Sequence, residues 1–397
     1  MKGTVVIESL PEAFEIIKEM NSSPAEWELD YRQAGRQALS QILEERMKDR
    51  IDRHLEQMAQ RGEEDRRNGS FSRHLLTELG DIELEVPRSR RISGVGVVRA
   101  YSRRVGHIDR MILSCFVLGL STRKVAQALL PVLGEPVSAT VVSRVAKNLD
   151  GAVQAFHRRS LKKKYRFLIF DGVVLKRRSG AGAIKRVVLV ALGITAEGKK
   201  EVIDFLIAAG ESQTSWEEFL NDLYRRGVSG EGIEMVITDG GKGLLSALPL
   251  VYPRSVIQRC WAHKSRNVLS YVRKTDWQEI KKDLHKISYA KNLRKAQRAL
   301  GKFCGRWGKF YPKAVKCLVA DEEQLLNFFQ IKESSLWSQI RTTNAIERRF
   351  REVRRRTRPM GVFSDRTSME RILFAVFTYE NLRQKTITPF LALTQNN

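Results

Sequence analysis

The chain has 397 residues and a formal net charge of +25 at pH 7, which favours a polyanionic partner such as nucleic acid. Residues 1 to 65 hold 9 Lys and Arg against 15 Asp and Glu, which argues against this stretch as the main binding surface. Neither a long apolar run nor a basic N-terminus followed by an apolar stretch occurs, so we expect no membrane span and no signal peptide, and a cytoplasmic protein of two or three domains.

The first predicted element is one long amphipathic helix. Apolar residues recur every three or four positions from Leu39 to Met58, between charged residues. The apolar stripe needs a partner, which is either the core of this chain or a second copy of it, and the spacing leaves both open. We assign residues 1–67 to an N-terminal helical region that could support dimerisation.

A half-buried strand is predicted next. Apolar and acidic residues alternate from Asp81 to Val86, and Pro87 is expected to end the strand. A basic run follows directly, which predicts either a loop that tracks DNA phosphates or a solvated surface hairpin. Its members are Arg88, Arg90 and Arg91.

Three short helices are predicted between residues 108 and 150, with Ser121 and Ser138 capping the second and third. The order is typical of a helix–turn–helix unit. An ordinary helical bundle is the alternative, because the last connection is longer than usual. In the first interpretation the third helix presents side chains that contact phosphates and base edges, namely Thr140, Arg144 and Lys147. We assign residues 68–160 to a mainly helical DNA-binding region.

The pattern then changes to sheet. Three strand-like runs precede a helix in which Ser215 and Glu218 have capping-box spacing, and a strand, a short helix and a strand follow. This is the element order of the ribonuclease-H-like fold, in which the first and fourth strands are neighbours. The three runs are 167–170, 187–194 and 202–209.

We therefore predict an α/β fold with a ribonuclease-H-like catalytic core. Residues 161–260 form its first part, and residues 341–397 supply its C-terminal helices. Residues 261–340 have helical spacing, many Lys and Arg and little strand signal, so they are predicted to be an all-helical insertion that interrupts the core.

Three acids are the leading candidates for catalysis. Asp171 and Asp239 each end an apolar run and precede glycine, and Glu347 opens an Arg-rich helix. Carboxylates that are brought together repel one another, and hard divalent cations, which favour oxygen ligands, remove that cost. A two-metal site for phosphodiester chemistry is the hypothesis that follows.

The helix that begins near Glu347 carries seven arginines before Pro359. Asn344 and Glu347 have capping-box spacing, so a purely structural role is the alternative for this glutamate. One carboxylate cannot pair with seven guanidinium groups, and the surplus favours phosphates beside the site. Three arginines share the Glu347 face, namely Arg351, Arg354 and Arg358.

Four motifs in this order resemble the mutator-type transposases of bacterial insertion sequences, within the DDE class. They are Phe170-Asp171-Gly172, Thr238-Asp239-Gly240, Gln258–Asn267 and Arg341–Arg348. The resemblance spans roughly Arg73 to Phe377. It implies that Asp171, Asp239 and Glu347 are the catalytic acids and that they hold two Mg²⁺ or Mn²⁺ ions per site.

The resemblance also identifies a Cys-x-x-His element in Cys260 and His263. We expect this pair to support the site by packing between the insertion and the core. Zinc binding together with Cys304 and Cys317 is the alternative, although the spacing of the second pair is not that of common zinc sites.

The implied function is transposition. The resemblance implies a homodimer that binds the terminal inverted repeats of a mobile element, cleaves double-stranded DNA and transfers the strands into target DNA. Such a protein would be nucleoid-associated when bound to DNA. Two alternatives stay open, a ribonuclease-H-like nuclease that does not join strands and a non-catalytic DNA-binding repressor.

Overall fold

The computed structural model describes residues 26–98, 106–133, 137–162, 164–180 and 182–383. Predictions for residues 1–25 and 384–397 lie outside these ranges. The chain divides into two compact units, residues 1–146 and 147–397, and each is described by itself. No helix in the described ranges is both long enough and apolar enough to cross a membrane. The five segments proposed from the sequence stay a prediction.

The first unit is built on a long helix and a hairpin. Helix α1 spans Glu26–Gln60, and strands β1 (Arg67–Thr77) and β2 (Gly80–Ser89) pair antiparallel. The predicted long helix is confirmed. Part of its apolar stripe is covered by the hairpin of the same chain, in a cluster that comprises Met47, Leu75, Ile82, Leu84 and Val86. Burial of each such side chain contributes about 1.5–3 kcal/mol.

Strand β2 continues to Ser89, so the prediction that Pro87 ends the strand is wrong. Pro87 lies opposite Ser70 of β1. The described hairpin has two strands, and a proline is tolerated on an edge strand where its missing N–H would face away from the ladder. Strand β1 was not predicted, because its first six residues are exposed and show no apolar alternation.

Short helices complete this unit. A 3₁₀ turn at Gly94–Val97 precedes α2 (Gly106–Val117), α3 (Thr122–Leu133) and α4 (Ala139–Lys147). The predicted caps are confirmed, because the Lys124 N–H donates to Ser121 Oγ over 3.3 Å and the Val141 N–H donates to Ser138 Oγ over 3.2 Å.

The second unit begins with α5 (Leu149–Arg158) and then forms a five-stranded mixed sheet. The strand order is β5-β4-β3-β6-β7. Strand β4 pairs antiparallel with both β3 and β5, whereas β6 pairs parallel with both β3 and β7. The strands are β3 (Phe167–Ser179), β4 (Gly182–Ile194), β5 (Lys200–Ala208), β6 (Met235–Thr238) and β7 (Val256–Arg259). The predicted element order and the neighbouring first and fourth strands are therefore observed.

Two helices cover one face of this sheet, α6 (Gln213–Arg225) after β5 and α7 (Lys242–Val251) after β6. Trp216 and Leu220 of α6 and Leu244 of α7 pack in one cluster with buried residues of β3 and β4. The prediction that Ser215 opens α6 is wrong. Ser212 is the N-cap residue, and its Oγ accepts a hydrogen bond from the Ser215 N–H over 3.2 Å.

The stretch from residue 261 to 340, which is described throughout, contains helices and no strand. Its α-helices are α8 (Trp261–Leu269), α9 (Trp277–Ser288), α10 (Leu293–Trp307), α11 (Pro312–Val319), α12 (Glu322–Leu326) and α13 (Trp337–Ile340). Shorter 3₁₀ turns lie at Lys274–Asp276, Asn327–Gln330 and Ser334–Leu336. The Leu325 carbonyl joins this segment to the end of β7 by accepting hydrogen bonds from Gln258 Nε2 (3.0 Å) and Trp261 Nε1 (2.8 Å).

Two helices follow this segment, α14 (Asn344–Thr357) and α15 (Arg366–Arg383), with a 3₁₀ turn at Arg358–Met360 between them. Helix α15 runs beside α5 and β5. The Arg371 guanidinium of α15 pairs with Asp150 of α5, and Asn381 donates to the Val202 carbonyl of β5 over 2.9 Å.

Candidate active site

The candidate acids gather where parallel pairing in the sheet stops. Asp239 directly follows β6, as predicted. Asp171 does not end its strand, so that prediction is wrong: pairing of β3 with β6 stops at Phe170 and Thr238, whereas pairing with β4 continues to Ser179. The alternating buried residues Val173 and Leu175 extend β3 beyond the acid. Each aspartate therefore directly follows Phe170 or Thr238, the last residues at which β3 and β6 pair.

Backbone N–H groups orient the two carboxylates. Asp171 Oδ1 accepts from the Gly172 N–H over 2.8 Å, and Asp239 Oδ1 accepts from the Gly241 N–H over 2.9 Å. Gly240, which lies between Asp239 and Gly241 in the chain, has φ +92°, a backbone conformation that residues with a side chain disfavour. A methyl group at Gly240 would also lie 1.8 Å from Cζ of Arg259, so a larger residue next to Asp239 would be strained and would displace the Arg259 guanidinium.

Asp171 is nine-tenths buried, with 9% of its surface exposed. Burial, followed by repulsion from Asp239, raises the pKa of the Asp171 carboxyl to about 7. Glu347 acts on it in the same direction, and His263 acts in the opposite one. The structure thus brings all three predicted acids and the predicted histidine within electrostatic reach of one another.

Glu347 lies in the first turn of α14, where the helix dipole favours a negative charge. The N-cap residue is Thr343 rather than Asn344, and the Glu347 N–H donates to the Thr343 carbonyl over 3.0 Å. The Glu347 carboxylate accepts from Arg266 Nη2 over 2.9 Å and lies 3.6 Å from His263 Nε2. Its observed partners therefore come from α8, which the capping-box alternative did not anticipate.

Among the described residues, no group of three or more His, Cys, Asp or Glu side chains is placed to hold a metal ion. The ion pair between Glu347 and Arg266 is consistent with this, because it holds the third carboxylate by a guanidinium. Metal binding by the three acids stays a prediction, and so does the alternative of zinc binding by Cys260 and His263 with Cys304 and Cys317.

Cys260 and His263 connect the end of β7, the start of α8 and the start of α14. Cys260 Sγ accepts from the Thr343 N–H over 3.2 Å and from Thr343 Oγ1 over 3.3 Å. Burial acts to raise the pKa of the Cys260 thiol, but hydrogen bonds from His263 and Thr343 lower it on balance. The same contact with Cys260 raises the pKa of His263. The pair thereby fixes the residue that caps the Glu347 helix.

Sequence reasoning missed Glu211, which follows β5 at the same edge of the sheet. A methyl group on Gly172 would lie 2.5 Å from Glu211 Oε1, so this carboxylate packs against the residue next to Asp171. A methyl group on Gly241 would lie 3.6 Å from both Glu211 Oε2 and Asp239 Oδ1. Burial, then repulsion from Asp239, raises the pKa of Glu211, although part of its side chain is exposed. The predicted strand order could have indicated Glu211, since β5 runs parallel to β3 and its end therefore points to the edge of the sheet where Asp171 lies.

The arginines of α14 fall into two groups. Arg351, Arg354 and Arg358 are exposed, and their contact with a phosphate stays a prediction. The sequence-based prediction counted too many unpaired arginines, because it overlooked two acids, Glu352 and Glu380, that pair with three of them. Arg355 and Arg356 pair with Glu352 over 2.9 and 2.5 Å, and Arg349 pairs with Glu380 over 3.6 Å.

The predicted DNA-contacting residues of the first unit lie on two elements. On the hairpin, Arg88 Nε donates to the Asn68 carbonyl over 2.8 Å, the Arg90 N–H donates to Asp65 over 3.2 Å, and Arg91 pairs with Glu63. These contacts favour a structural contribution from this run. On α4, the exposed side chains are Thr140, Ser143, Arg144 and Lys147. Contact with DNA stays a prediction for both sets.

Comparison with known proteins adds independent information. The model of the family described as "Transposase, Mutator family" matches residues 14–384. The transposase for insertion sequence element IS905 of Lactococcus lactis subsp. lactis (strain IL1403) is 34% identical over 319 residues, 80% of each chain. The transposase for ISRM5 of Rhizobium meliloti (strain 1021) is 31% identical over 79% of each chain. The transposase for IS256 in transposon Tn4001 of Staphylococcus aureus is 31% identical over 78% of this chain and 80% of the relative.

Proposed function

This chain belongs to the Mutator family of transposases, and we propose that it binds the terminal inverted repeats of an insertion sequence, cleaves the DNA there and transfers the strands into target DNA. The observation that carries the proposal is the buried Asp171 carboxyl, repelled by Asp239 and Glu347 at one edge of the sheet. Such repulsion is costly to maintain in a fold and is typical of functional sites.

The catalytic domain of this proposal is a ribonuclease-H-like core with an all-helical insertion. The strand order β5-β4-β3-β6-β7, with three antiparallel strands followed by two parallel ones, supports it. So does the position of residues 261–340 between β7 and α14, since this segment separates Asp239 from Glu347 along the chain.

Asp171, Asp239 and Glu347 are the proposed catalytic acids. The chemistry of these donors suits a hard divalent cation, because Mg²⁺ and Mn²⁺ prefer carboxylate oxygens and clustered negative charge needs neutralising. The three carboxylates would have to draw closer together than in the observed arrangement to hold one. When bound, two such ions would activate water or a DNA 3′-hydroxyl and stabilise the leaving oxygen. Glu211, beside Asp239, adds a fourth negative charge to the same edge.

The surrounding residues have positioning roles. Arg266 and His263 hold the Glu347 carboxylate, and Arg266 would compete with a metal ion for its Oε1 atom. Cys260 fixes Thr343 and with it the start of α14. The exposed Arg351, Arg354 and Arg358 continue from Glu347 along the helix, where guanidinium groups can contact phosphates.

We also propose that two copies act together, because two element ends must be processed. Helix α1 offers one exposed apolar side chain for such a contact, Ile42, with 51% of its surface exposed. When bound to DNA the dimer would be nucleoid-associated.

The proposal is tested with Asp239→Asn on terminal-repeat DNA in the presence of Mg²⁺. The amide keeps the acceptor for the Gly241 N–H but loses the charge, so we expect strand cleavage to be lost while DNA affinity is retained. Glu231→Gln, which removes the same charge from an exposed loop, is the matched control and should cleave normally. Cleavage by Asp239→Asn at the wild-type rate would refute the assignment.

A further inference from the structure

A basic groove lies between α9 and α10 in the helical segment. It has a volume of about 490 Å³. Five cationic side chains and one acid line it, namely Lys286, Lys295, Arg298, Lys302, Arg306 and Asp283. Neither the sequence motifs nor the candidate active site assigns a role to it.

Two of the groove cations, Lys286 and Arg306, are engaged in ion pairs. Asp283 accepts from Lys286 Nζ over 2.7 Å and from Arg306 Nη1 over 3.0 Å. Trp307 Nε1 also donates to Asp283, over 3.0 Å, and Arg306 additionally pairs with Glu279. The contacts of Arg306 and Trp307 join α10 to α9.

The other three cations of the groove are not held by ion pairs to any described residue. Within the described part of the chain, Lys295, Arg298 and Lys302 form no ion pair with an acid, and all three are exposed. Their spacing of three and four residues puts them on one face of α10. At about 1.5 Å rise per residue the stripe is about 10 Å long. Phosphates of one DNA strand are spaced about 3.4 Å along the duplex axis, so the stripe can face about three of them.

The groove is connected to the helix that carries Glu347. The Ser288 carbonyl at the end of α9, two residues beyond Lys286, accepts from Arg341 Nη1 over 3.0 Å. The Arg341 guanidinium lies 3.5 Å from the centre of the Tyr289 ring. Arg341 precedes Glu347 by six residues. Its contacts with Ser288 and Tyr289 therefore link the end of α9 to the segment that leads into the Glu347 helix.

We propose that this groove binds the phosphodiester backbone of the duplex DNA whose scissile strand enters the candidate active site, through Lys295, Arg298 and Lys302. The inference rests on the proposed function and deepens it by naming a contact surface outside the acids. Contacts of this kind neutralise phosphates without reading bases, so the groove fixes the position of the DNA and adds no sequence preference.

The test replaces all three residues with alanine in the full-length chain and measures affinity for random-sequence duplex DNA at several salt concentrations. Alanine is the best helix former, so α10 should persist and the melting temperature should stay unchanged. Losing three phosphate contacts should reduce the slope of log affinity against log salt by about 2.7. Between 50 and 200 mM salt, the variant should therefore lose about 40-fold less affinity than the wild type.

Two control variants make the result specific. Lys164→Ala, Arg225→Ala and Arg254→Ala together remove the same charge from exposed sites near the opposite edge of the sheet, and should leave the slope unchanged. The swap Lys295→Arg, Arg298→Lys and Lys302→Arg keeps the charge and should keep the slope. Equal slopes for wild type and the groove variant, or equal losses in the groove variant and the first control, would overturn the inference.

The outcome for the proposed function is separate. If wild-type protein fails to bind and cleave terminal-repeat DNA, the proposed function itself is refuted. If the wild type binds and cleaves but the groove variant shows the wild-type slope, this inference alone is refuted. A slope change on single-stranded but not on duplex DNA would also contradict it, because the proposed occupant is the duplex.

Discussion

Replacing Asp171 by asparagine should stabilise the metal-free protein at high pH while it abolishes cleavage. Burial and the neighbouring acids raise the pKa of the Asp171 carboxyl from 3.8 to about 7 in the folded protein. The folded state therefore holds this proton more tightly than the unfolded state does. The cost of ionising the group grows as the pH rises from about 4 to about 7 and is complete above that.

The magnitude follows from the shift. Each unit of pKa difference corresponds to about 1.4 kcal/mol, so the cost is about 4 kcal/mol at pH 8 and about 1.5 kcal/mol at pH 5. Asparagine carries no such cost. Its advantage over aspartate should therefore grow by about 2.5 kcal/mol between pH 5 and pH 8, which for a unit of this size is about 5–10 °C in melting temperature.

The assay is thermal unfolding of wild type and Asp171→Asn in EDTA across pH 5 to 8. Glu231→Gln serves as the control, because it removes an exposed carboxylate and should give a difference from wild type that does not change with pH. Added Mg²⁺ should raise the melting temperature of the wild type more than that of Asp171→Asn. A difference between Asp171→Asn and wild type that is constant with pH would refute the description of Asp171 as a buried, repelled carboxylate.

Further substitutions test the other parts of the account. Glu347→Gln should leave α14 folded and DNA bound but should abolish cleavage and joining, and wild-type turnover in this variant would return Glu347 to a purely structural role. Arg266→Gln should lower the Mg²⁺ concentration needed for half-maximal thermal stabilisation, because it frees the Glu347 carboxylate; an unchanged concentration would argue against competition. Glu211→Gln should weaken Mn²⁺ binding measured by calorimetry by about tenfold, equivalent to about 1.4 kcal/mol, and equal affinity would place Glu211 outside the metal environment. Arg144→Ala with Lys147→Ala should reduce affinity for cognate ends more than for random duplex, whereas an equal loss would make both residues phosphate contacts.

The parts of the site that could be predicted depend on local pattern and strand order. Short apolar runs next to Asp171 and Asp239 predicted two buried strands, and the order of elements made those strands neighbours. The same pattern misplaced the end of β3, because residues beyond Asp171 alternate between buried and exposed and pair with β4 alone. Ser212 and Ser215 are both acceptable caps, and the local sequence could not choose between them.

The parts that could not be predicted depend on contacts between residues far apart in the chain. Arg266 reaches Glu347 across 81 positions, and Val202 reaches Asn381 across 179. Glu211 lies in a loop with no motif, and its carboxylate packs beside Gly172 and Gly241 at the site. Such pairings arise from tertiary packing, for which a single sequence carries no periodic signal.

The central claim is that this chain cleaves DNA at element ends and joins the strands to a target. The most direct measurement incubates purified protein, Mg²⁺, labelled terminal-repeat duplex and a plasmid, and then sequences every junction formed. We expect plasmid molecules joined to the terminal-repeat strand at its cleaved end, and none with Asp239→Asn. Cleavage without any junction would contradict strand transfer and favour a nuclease, and binding without cleavage would contradict catalysis and favour a repressor.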